Sequence, residues 1–441
     1  MAAPGEDFDR PVLQVLNSRF VLLAHTPLKC RRAFTIAGAC LLLAPAPAPA
    51  AFAVDPSPRA TAPDTTDCPY RLQPGPAVDE SEIPSPGADT PTPLPVPETY
   101  AGGETLAAEC GVSAAPGFAE PADLTASAWL VFDLDSQDVI AAKDPHGRYR
   151  PASIIKVLLA LVAIENLDLD TQVIGTQEDA NIEGSRVGIG PEGQYTVEQL
   201  LQGLVMASGN DAAHALAGQL GGTARTLELV NAKAKELGTQ STRVTSYSGL
   251  DAPGLQTTPF DIALMYNAAW HNPVFARLVG TRSVDFPGYQ DTEGFEVWND
   301  NGLLSADPTS FGGKTGYTDD ARHTFVGGAT RGGRRLVAVI MDTTIDKGRP
   351  WEQAQRLIDA AAGARGSVGT VAALPREDAA DGGAAPTPAA VAGTGRTGGS
   401  GWPTGWVWAG VIALLAAVGL WWSLRYSAWE QSHRESARFR R

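Results

Sequence analysis

The chain is short of positive charge: Lys+Arg number 34 against Asp+Glu 49, a formal net charge of −15 over 441 residues. That balance excludes a nucleic-acid partner, whose phosphates require a basic face. Lysine is scarcer still. Lys29, Lys143, Lys156, Lys233, Lys235, Lys314 and Lys347 are the whole supply. Arginine carries most of the cationic charge, so each lysine raises the question of why arginine would not serve. The six histidines form no metal-ligand cluster. Cysteine is limited to Cys30, Cys40, Cys68 and Cys110. The first two fall in a segment read below as an export signal. In an exported chain the other two favour one disulfide, Cys68–Cys110, over two free thiols. Closing that loop contributes roughly 4 kcal/mol in a chain-entropy picture.

Both ends lack apolar periodicity, which reduces a length suited to two or three domains to one globular unit. Lys29, Arg31 and Arg32 precede a short apolar run, 33–43, and Ala51-Phe52-Ala53 supplies an A-x-A cleavage pattern. Residues 1–53 therefore read as a cleaved signal peptide. The run is too short to span a bilayer, and Pro45, Pro47 and Pro49 stop its extension as a helix. Residues 54–121 are rich in proline and acid, with Arg59 and Arg71 as the only cations. They read as an extracytoplasmic spacer, mostly extended, with too little apolar surface to order itself. A second, Gly/Ala/Pro-rich linker covers 366–401. Residues 402–424 read as a transmembrane helix: the apolar stretch 406–424 spans about 28 Å. Trp402, Trp406 and Trp408 flank one end, Trp421, Trp422 and Tyr426 the other. Arg425, Arg434, Arg438, Arg440 and Arg441 mark 425–441 as a short basic cytoplasmic tail.

Between the spacer and the linker, 122–365 carries the chemistry. Alternation over 128–132 and 139–142 predicts a β-hairpin turning near Asp135-Ser136. The stretch 153–166 is apolar nearly all round, which predicts a buried central helix. Further helices are expected at 196–206, 211–220, 224–237 and 259–270. Strands are expected at 323–330 and 335–342, and a last helix at 350–362. This order predicts an α/β (α+β) domain: one antiparallel sheet covered by helices, with a helical subdomain inserted.

Three short motifs lie in that frame. Ser153-Ile154-Ile155-Lys156 places a hydroxyl and an amine three residues apart, on one helix face. A serine needs a base to take its proton, and lysine serves when burial and a nearby cation lower its pKa, as arginine practically never can. Ser208-Gly209-Asn210 sits between two helical stretches, where Gly209 permits a tight turn, Ser208 can relay a proton and Asn210 can bind a substrate amide. Lys314-Thr315-Gly316 follows Phe311-Gly312-Gly313. On an edge strand, Gly316 allows a peptide backbone to approach and pair, while Lys314 and Thr315 receive a terminal carboxylate. Each motif alone has a plain structural explanation, as a helix cap, a helix stop or a turn.

Together and in this order, the three resemble the penicillin-recognising serine enzymes. Over about 124–362 the chain is most similar to the low-molecular-mass penicillin-binding proteins of the D-alanyl-D-alanine carboxypeptidase family. Arg150-Pro151-Ala152, Trp298-Asn299-Asp300-Asn301-Gly302-Leu303-Leu304 and Gly316-Tyr317-Thr318 support the likeness. The resemblance implies a β-lactamase/transpeptidase-like fold. It implies hydrolysis of the terminal D-alanine from peptidoglycan stem peptides through an acyl-enzyme, with β-lactams as inhibitors. It makes Ser153 the nucleophile, Lys156 its base and Ser208 a relay. Asn210, Lys314, Thr315, Gly316 and Tyr317 become substrate-binding residues, and the N–H groups of Ser153 and Tyr317 the oxyanion hole. Lys314 would also depress the pKa of Lys156. No metal or other cofactor is required. Relatives with a C-terminal β-rich domain differ here, where only the Gly/Pro-rich linker follows. Ala321-Arg322-His323 follows the third motif where many relatives have Ala-Gly, and His323 reads as a strand start.

Competing readings are a β-lactamase, a peptidoglycan endopeptidase and a weakly catalytic β-lactam or muropeptide sensor. A fast β-lactamase of the class A kind needs a glutamate with an asparagine four residues on, between the second and third motifs. The stretch 242–258 holds no glutamate. The basic tail is too short for a signalling domain. Endopeptidase activity uses the same motifs and stays open.

Overall fold

The computed structural model describes residues 58–375. The expected signal peptide, transmembrane helix and basic tail, and most of the second linker, lie outside the described residues. Among the described residues no helix is long and apolar enough to cross a membrane.

The strands are β1 (Val112–Ala114), β2 (Ala128–Asp133), β3 (Asp138–Lys143), β4 (Gln172–Ile174), β5 (Gln194–Thr196), β6 (Ser283–Phe286), β7 (Phe295–Trp298), β8 (Ser310–Thr318), β9 (Arg322–Arg331), β10 (Arg334–Thr343) and β11 (Gly369–Thr370). The helices are α1 (Glu104–Ala108), α2 (Lys156–Asn166), α3 (Gln177–Asn181), α4 (Val197–Met206), α5 (Asn210–Gln219), α6 (Thr223–Glu236), α7 (Pro259–His271), α8 (Pro273–Val279), α9 (Gly302–Ala306) and α10 (Pro350–Ala361). One seven-stranded antiparallel sheet runs β1-β3-β2-β10-β9-β8, with β11 also on β3. β4–β5 and β6–β7 form separate two-stranded antiparallel sheets. The hairpin, the two late strands and the five helices from 196 onward that the pattern predicts all form, with ends moved by a residue or so.

The alternation in β2 explains the layering. All six of its residues are buried. Leu130 and Phe132 join a large core with α2, α4, α5 and α7, while Trp129 and Val131 join a second core under α10. A strand buried on both faces is apolar on both faces, with each parity assigned to one layer. α10 presents Ala354, Leu357, Ile358 and Ala361 to that second core, the i, i+3, i+4, i+7 stripe of an amphipathic helix. α2 is buried from Lys156 to Ala163 on every side, at the centre of the helical layer.

Residues 58–121 differ from the expected spacer. They contain little regular structure, yet they lie packed along the domain. Arginines of the domain fasten them. The fully buried Arg148 donates to the carbonyl oxygens of Leu72 and Leu94, both at 2.7 Å, and of Pro95 at 2.6 Å. Arg243 donates to Thr92 O at 2.5 Å and Arg150 pairs with Glu82. Arg59, from the 58–121 segment itself, a strap laid along the domain, binds the Asp342 carboxylate at 3.0 Å. Cys68 and Cys110 form a disulfide, and Leu106 enters the main core. The physical reason is that a proline-rich segment offers carbonyls without matching N–H groups. Buried guanidinium groups with five donors satisfy them, a source of order that apolar composition does not register.

Arg148→Leu should therefore release the strap. We expect a loss of about 3 kcal/mol in global stability, from buried carbonyls left unpaired. New protease cleavage should appear between residues 72 and 96. Unchanged melting and cleavage patterns would show that the strap is held elsewhere.

Candidate active site

The site begins at a distorted helix entry. Tyr149 exchanges two backbone hydrogen bonds with Thr257, at 2.8 and 2.9 Å, which fixes the chain just before the first motif. Ala152 is buried with φ of 48°, in the left-handed region. That conformation costs a residue with a Cβ roughly 1 kcal/mol. The turn Ala152–Ile155 is 3₁₀, and α2 starts only at Lys156, three residues later than the pattern predicts. Thr324 Oγ1 donates to Pro151 O at 2.8 Å and Tyr266 Oη to Ile154 O at 3.0 Å. Together these bonds hold the turn in place and leave Ser153 partly exposed at the mouth of α2.

Lys156 is completely buried. Its Nζ lies 2.7 Å from Ser153 Oγ, 2.8 Å from Asn210 Oδ1 and 2.6 Å from the carbonyl oxygen of Ser248. Burial, and secondarily the charge of Lys314, hold its pKa well below the ordinary lysine value, against a smaller opposing pull from Asp300 and Asp211. A neutral amine has two N–H donors and one lone pair. Asn210 and Ser248 can take the two donors, and the lone pair is left for the Ser153 hydroxyl proton.

The second motif lies at the junction of α4 and α5 and differs from expectation in detail. Ser208 itself, with φ of 58°, occupies the left-handed region, while Gly209 has φ of −57°. Gly209 is needed for space: a Cβ there would lie 2.7 Å from Asp211 Oδ1 and 3.1 Å from Val187 N. The carboxylate of Asp211 accepts from the N–H groups of Val187, Gly188 and Ile189 at 3.0, 2.8 and 3.1 Å. Ser208 is buried and makes no side-chain hydrogen bond among the described residues. Asn210 uses its oxygen on Lys156 and its nitrogen on Glu183 O, at 2.7 Å. In this state it orients the lysine.

The third motif lies on β8, an edge strand of the sheet. Lys314 is buried, its Nζ 2.9 Å from Thr315 O and 3.8 Å from Asp300 Oδ2. Thr315 Oγ1 donates to Asp300 Oδ2 at 2.7 Å. Gly316 pairs with Thr324, and a Cβ on it would lie 2.3 Å from Thr324 Oγ1 and 2.9 Å from Ser153 N. Its missing side chain therefore lets β8 close on the backbone of Ser153, a tighter requirement than room for a peptide. Tyr317 is half exposed, and its ring packs against His323 in a tilted arrangement, centroids 4.6 Å apart.

The structure thus brings Ser153, Lys156 and Asn210 into direct contact and sets Gly316 against Ser153. Three participants escaped the sequence reading. Ser248 contributes only a carbonyl, which leaves no side-chain signal. Asp300 lay inside a stretch noted for its likeness but was given no role. Arg349, just ahead of α10, lines a cavity of about 440 Å³ beside Thr315 together with Asp300, His323 and Trp351. Its position depends on how the β10–α10 connection folds back, which no local pattern announces.

Comparison with known proteins agrees with this geometry. A family profile described as D-alanyl-D-alanine carboxypeptidase matches residues 115–344. The chain is 46% identical over 241 residues to the D-alanyl-D-alanine carboxypeptidase DacB2 of Mycobacterium tuberculosis, covering 54% of this chain and 82% of that one. It is 32% identical to DacD of Salmonella typhimurium, over 57% of this chain and 66% of the relative. Its fold is similar to the crystal structure of a D-alanyl-D-alanine carboxypeptidase from M. tuberculosis (TM-score 0.56, 44% identity, 58% of this chain and 99% of that one). It is also similar to the Streptomyces K15 DD-transpeptidase (TM-score 0.52, 26% identity, 55% and 98%). The chain belongs to the D-alanyl-D-alanine carboxypeptidase family, serine-type peptidases with the penicillin-binding fold.

Proposed function

We propose that Ser153 removes the terminal D-alanine from peptidoglycan stem peptides through an acyl-enzyme. The observation that carries this reading is the buried Lys156 amine 2.7 Å from Ser153 Oγ, its pKa held down by burial and by Lys314. Lys156 takes the hydroxyl proton as Oγ bonds to the penultimate carbonyl carbon. The N–H groups of Ser153 and Tyr317 receive the oxyanion. As the C–N bond breaks, the proton passes to the leaving amine, with Ser208 in the relay role that the second motif gives it. A water then attacks the ester and gives a proton to Lys156; the acyl C–Oγ bond breaks, Lys156 returns the proton to Ser153 Oγ, and the shortened peptide leaves. Lys314 and Thr315 are suited to hold the terminal carboxylate, and Arg349 lines the same cavity as Thr315.

The same hydroxyl opens a β-lactam ring. Release is then expected to be slow, because the 242–258 loop supplies no glutamate to activate water; its one acid, Asp251, accepts from Thr318 at 2.8 Å. A signal peptide over 1–53 and a membrane helix over 402–424 would place the domain outside the cytoplasm, tethered through the 366–401 linker. The hydropathy, the flanking tryptophans and the basic tail support that placement.

Incubated with a stem pentapeptide, the protein should yield the tetrapeptide and free D-alanine by mass. Ser153→Ala should abolish both this and labelling by a fluorescent penicillin while remaining folded. Lys156→Arg should be nearly as inactive as Lys156→Ala, since the position needs a removable proton. Normal labelling of Ser153→Ala, or an arginine variant within about tenfold of wild type, contradicts the roles assigned. Ending the exported chain at Gly401 should move active enzyme to the soluble fraction. Continued sedimentation with membranes would point to another anchor.

A further inference from the structure

The loop 242–258 leaves the body of the domain at Arg243 and returns at Gln256, where the two residues exchange N–H···O bonds of 2.9 and 3.1 Å. Between them its tip makes two contacts that the chemistry needs. The Ser248 carbonyl oxygen lies 2.6 Å from Lys156 Nζ and 3.4 Å from Ser153 Oγ. Gly249, with φ of 84°, lies against the turn that carries Ser153. A Cβ there would stand 2.1 Å from Ala152 O and 3.0 Å from Ser153 N. Asp251, the loop's one acid, faces the end of β8. Its Oδ1 accepts from Thr318 Oγ1 at 2.8 Å and its Oδ2 from Asp320 N at 3.3 Å. Thr318 Oγ1 itself accepts from Ala321 N at 3.0 Å, and its single proton is directed at Asp251.

These contacts close a circuit around Ser153. The loop tip touches Lys156 and the turn at Ala152, Asp251 links the loop to Thr318, and β8 runs back from Thr318 through Tyr317 to Gly316, beside Ser153 N. The carbonyl that orients the base and the N–H assigned to the oxyanion thus lie on two segments that Asp251 joins. We propose that Asp251 is a positioning residue of the acylation step: by holding Thr318, it sets the Ser248 carbonyl on Lys156 and the Tyr317 N–H beside Ser153 at the same time. A charged acceptor makes such a tie strong. Burial raises the Asp251 pKa to about 6, with the Asp320 carboxylate adding to it and the bonds from Thr318 and Asp320 N–H and the charge of Arg150 opposing it. At neutral pH the group is therefore ionised and accepts at both oxygens. The inference rests on the proposed acylation of Ser153 and adds to it a residue outside the three motifs.

The test is the rate of covalent labelling by a fluorescent penicillin against its concentration, well below each variant's melting temperature. Asp251→Ala and Thr318→Val each remove one end of the tie. Each should lower the maximal acylation rate about tenfold to hundredfold, the range for a hydrogen bond to a charged group. The penicillin concentration giving half that rate should stay near the wild-type value. The double variant should be no slower than the slower single one, because both changes cut the same link. Thr318→Ser keeps the hydroxyl and should recover most of the wild-type rate. A folded Asp251→Ala or Thr318→Val that is labelled at the wild-type rate would overturn the proposal. So would losses that multiply in the double variant, or a loss seen only in the half-saturating concentration. Should Asp251→Ala fail to fold, Thr318→Val and Thr318→Ser carry the test, and equal loss in both would overturn the proposal. Wild type that is labelled but leaves the stem pentapeptide intact would overturn the carboxypeptidase reading alone. Wild type that is not labelled would overturn the acylation of Ser153, and this inference with it.

Discussion

The arrangement depends on hiding one ammonium group from water beside another. A buried lysine without a carboxylate partner is costly in its charged form, so it sheds its proton more readily. Lys156 is in that position: fully buried, supported by an amide oxygen, a main-chain carbonyl and a hydroxyl, with Lys314 as the neighbouring charge. Asp300 and Asp211 oppose the shift but do not cancel it. Much of the surrounding structure exists to hold that configuration. The 3₁₀ entry brings Ser153 to the lysine, Asn210 opens α5 toward it, and the 242–258 loop delivers the Ser248 carbonyl. Gly316 lets β8 close the site from the sheet side.

The strap contributes to the same configuration from outside. Arg148 and Arg150 sit three to five residues ahead of Ser153, and both are committed to residues 72–95 or Glu82. Asp320, two residues after Thr318 on the far end of β8, accepts from Ser81 Oγ at 3.1 Å. The strap therefore touches the chain on both sides of the candidate site, ahead of Ser153 and beyond the third motif. An extended acidic segment becomes an ordered part of the domain because it meets buried arginines. Its own sequence would not order it.

What the sequence disclosed follows from the range of its signals. Period-two alternation identified β2 and β3, and an all-round apolar stretch identified α2, because burial on defined faces is written locally. The three motifs were legible because their spacing puts reactive groups on one turn. The 3₁₀ entry was not legible: its cause is the left-handed Ala152, an alanine where glycine would be the usual marker. Ser208 likewise takes the left-handed conformation that Gly209 was expected to supply. The order of residues 58–121, the Ser248 carbonyl and the placement of Arg349 all arise from contacts between distant parts of the chain. Asp300 was visible as a letter, but its meaning depends on lying 2.7 Å from Thr315 Oγ1.

The claim on which the account turns is that Lys156 loses its proton far more readily than an ordinary lysine. With few lysines in the chain, an NMR titration of ¹³Cε-labelled lysine can follow Lys156 directly, its resonance assigned by its absence in Lys156→Arg. The account predicts a midpoint well below the ordinary lysine range. It also predicts that the midpoint rises in Lys314→Ala, where the neighbouring positive charge no longer opposes protonation. A Lys156 that titrates with the exposed lysines, or that ignores the loss of Lys314, would contradict the account.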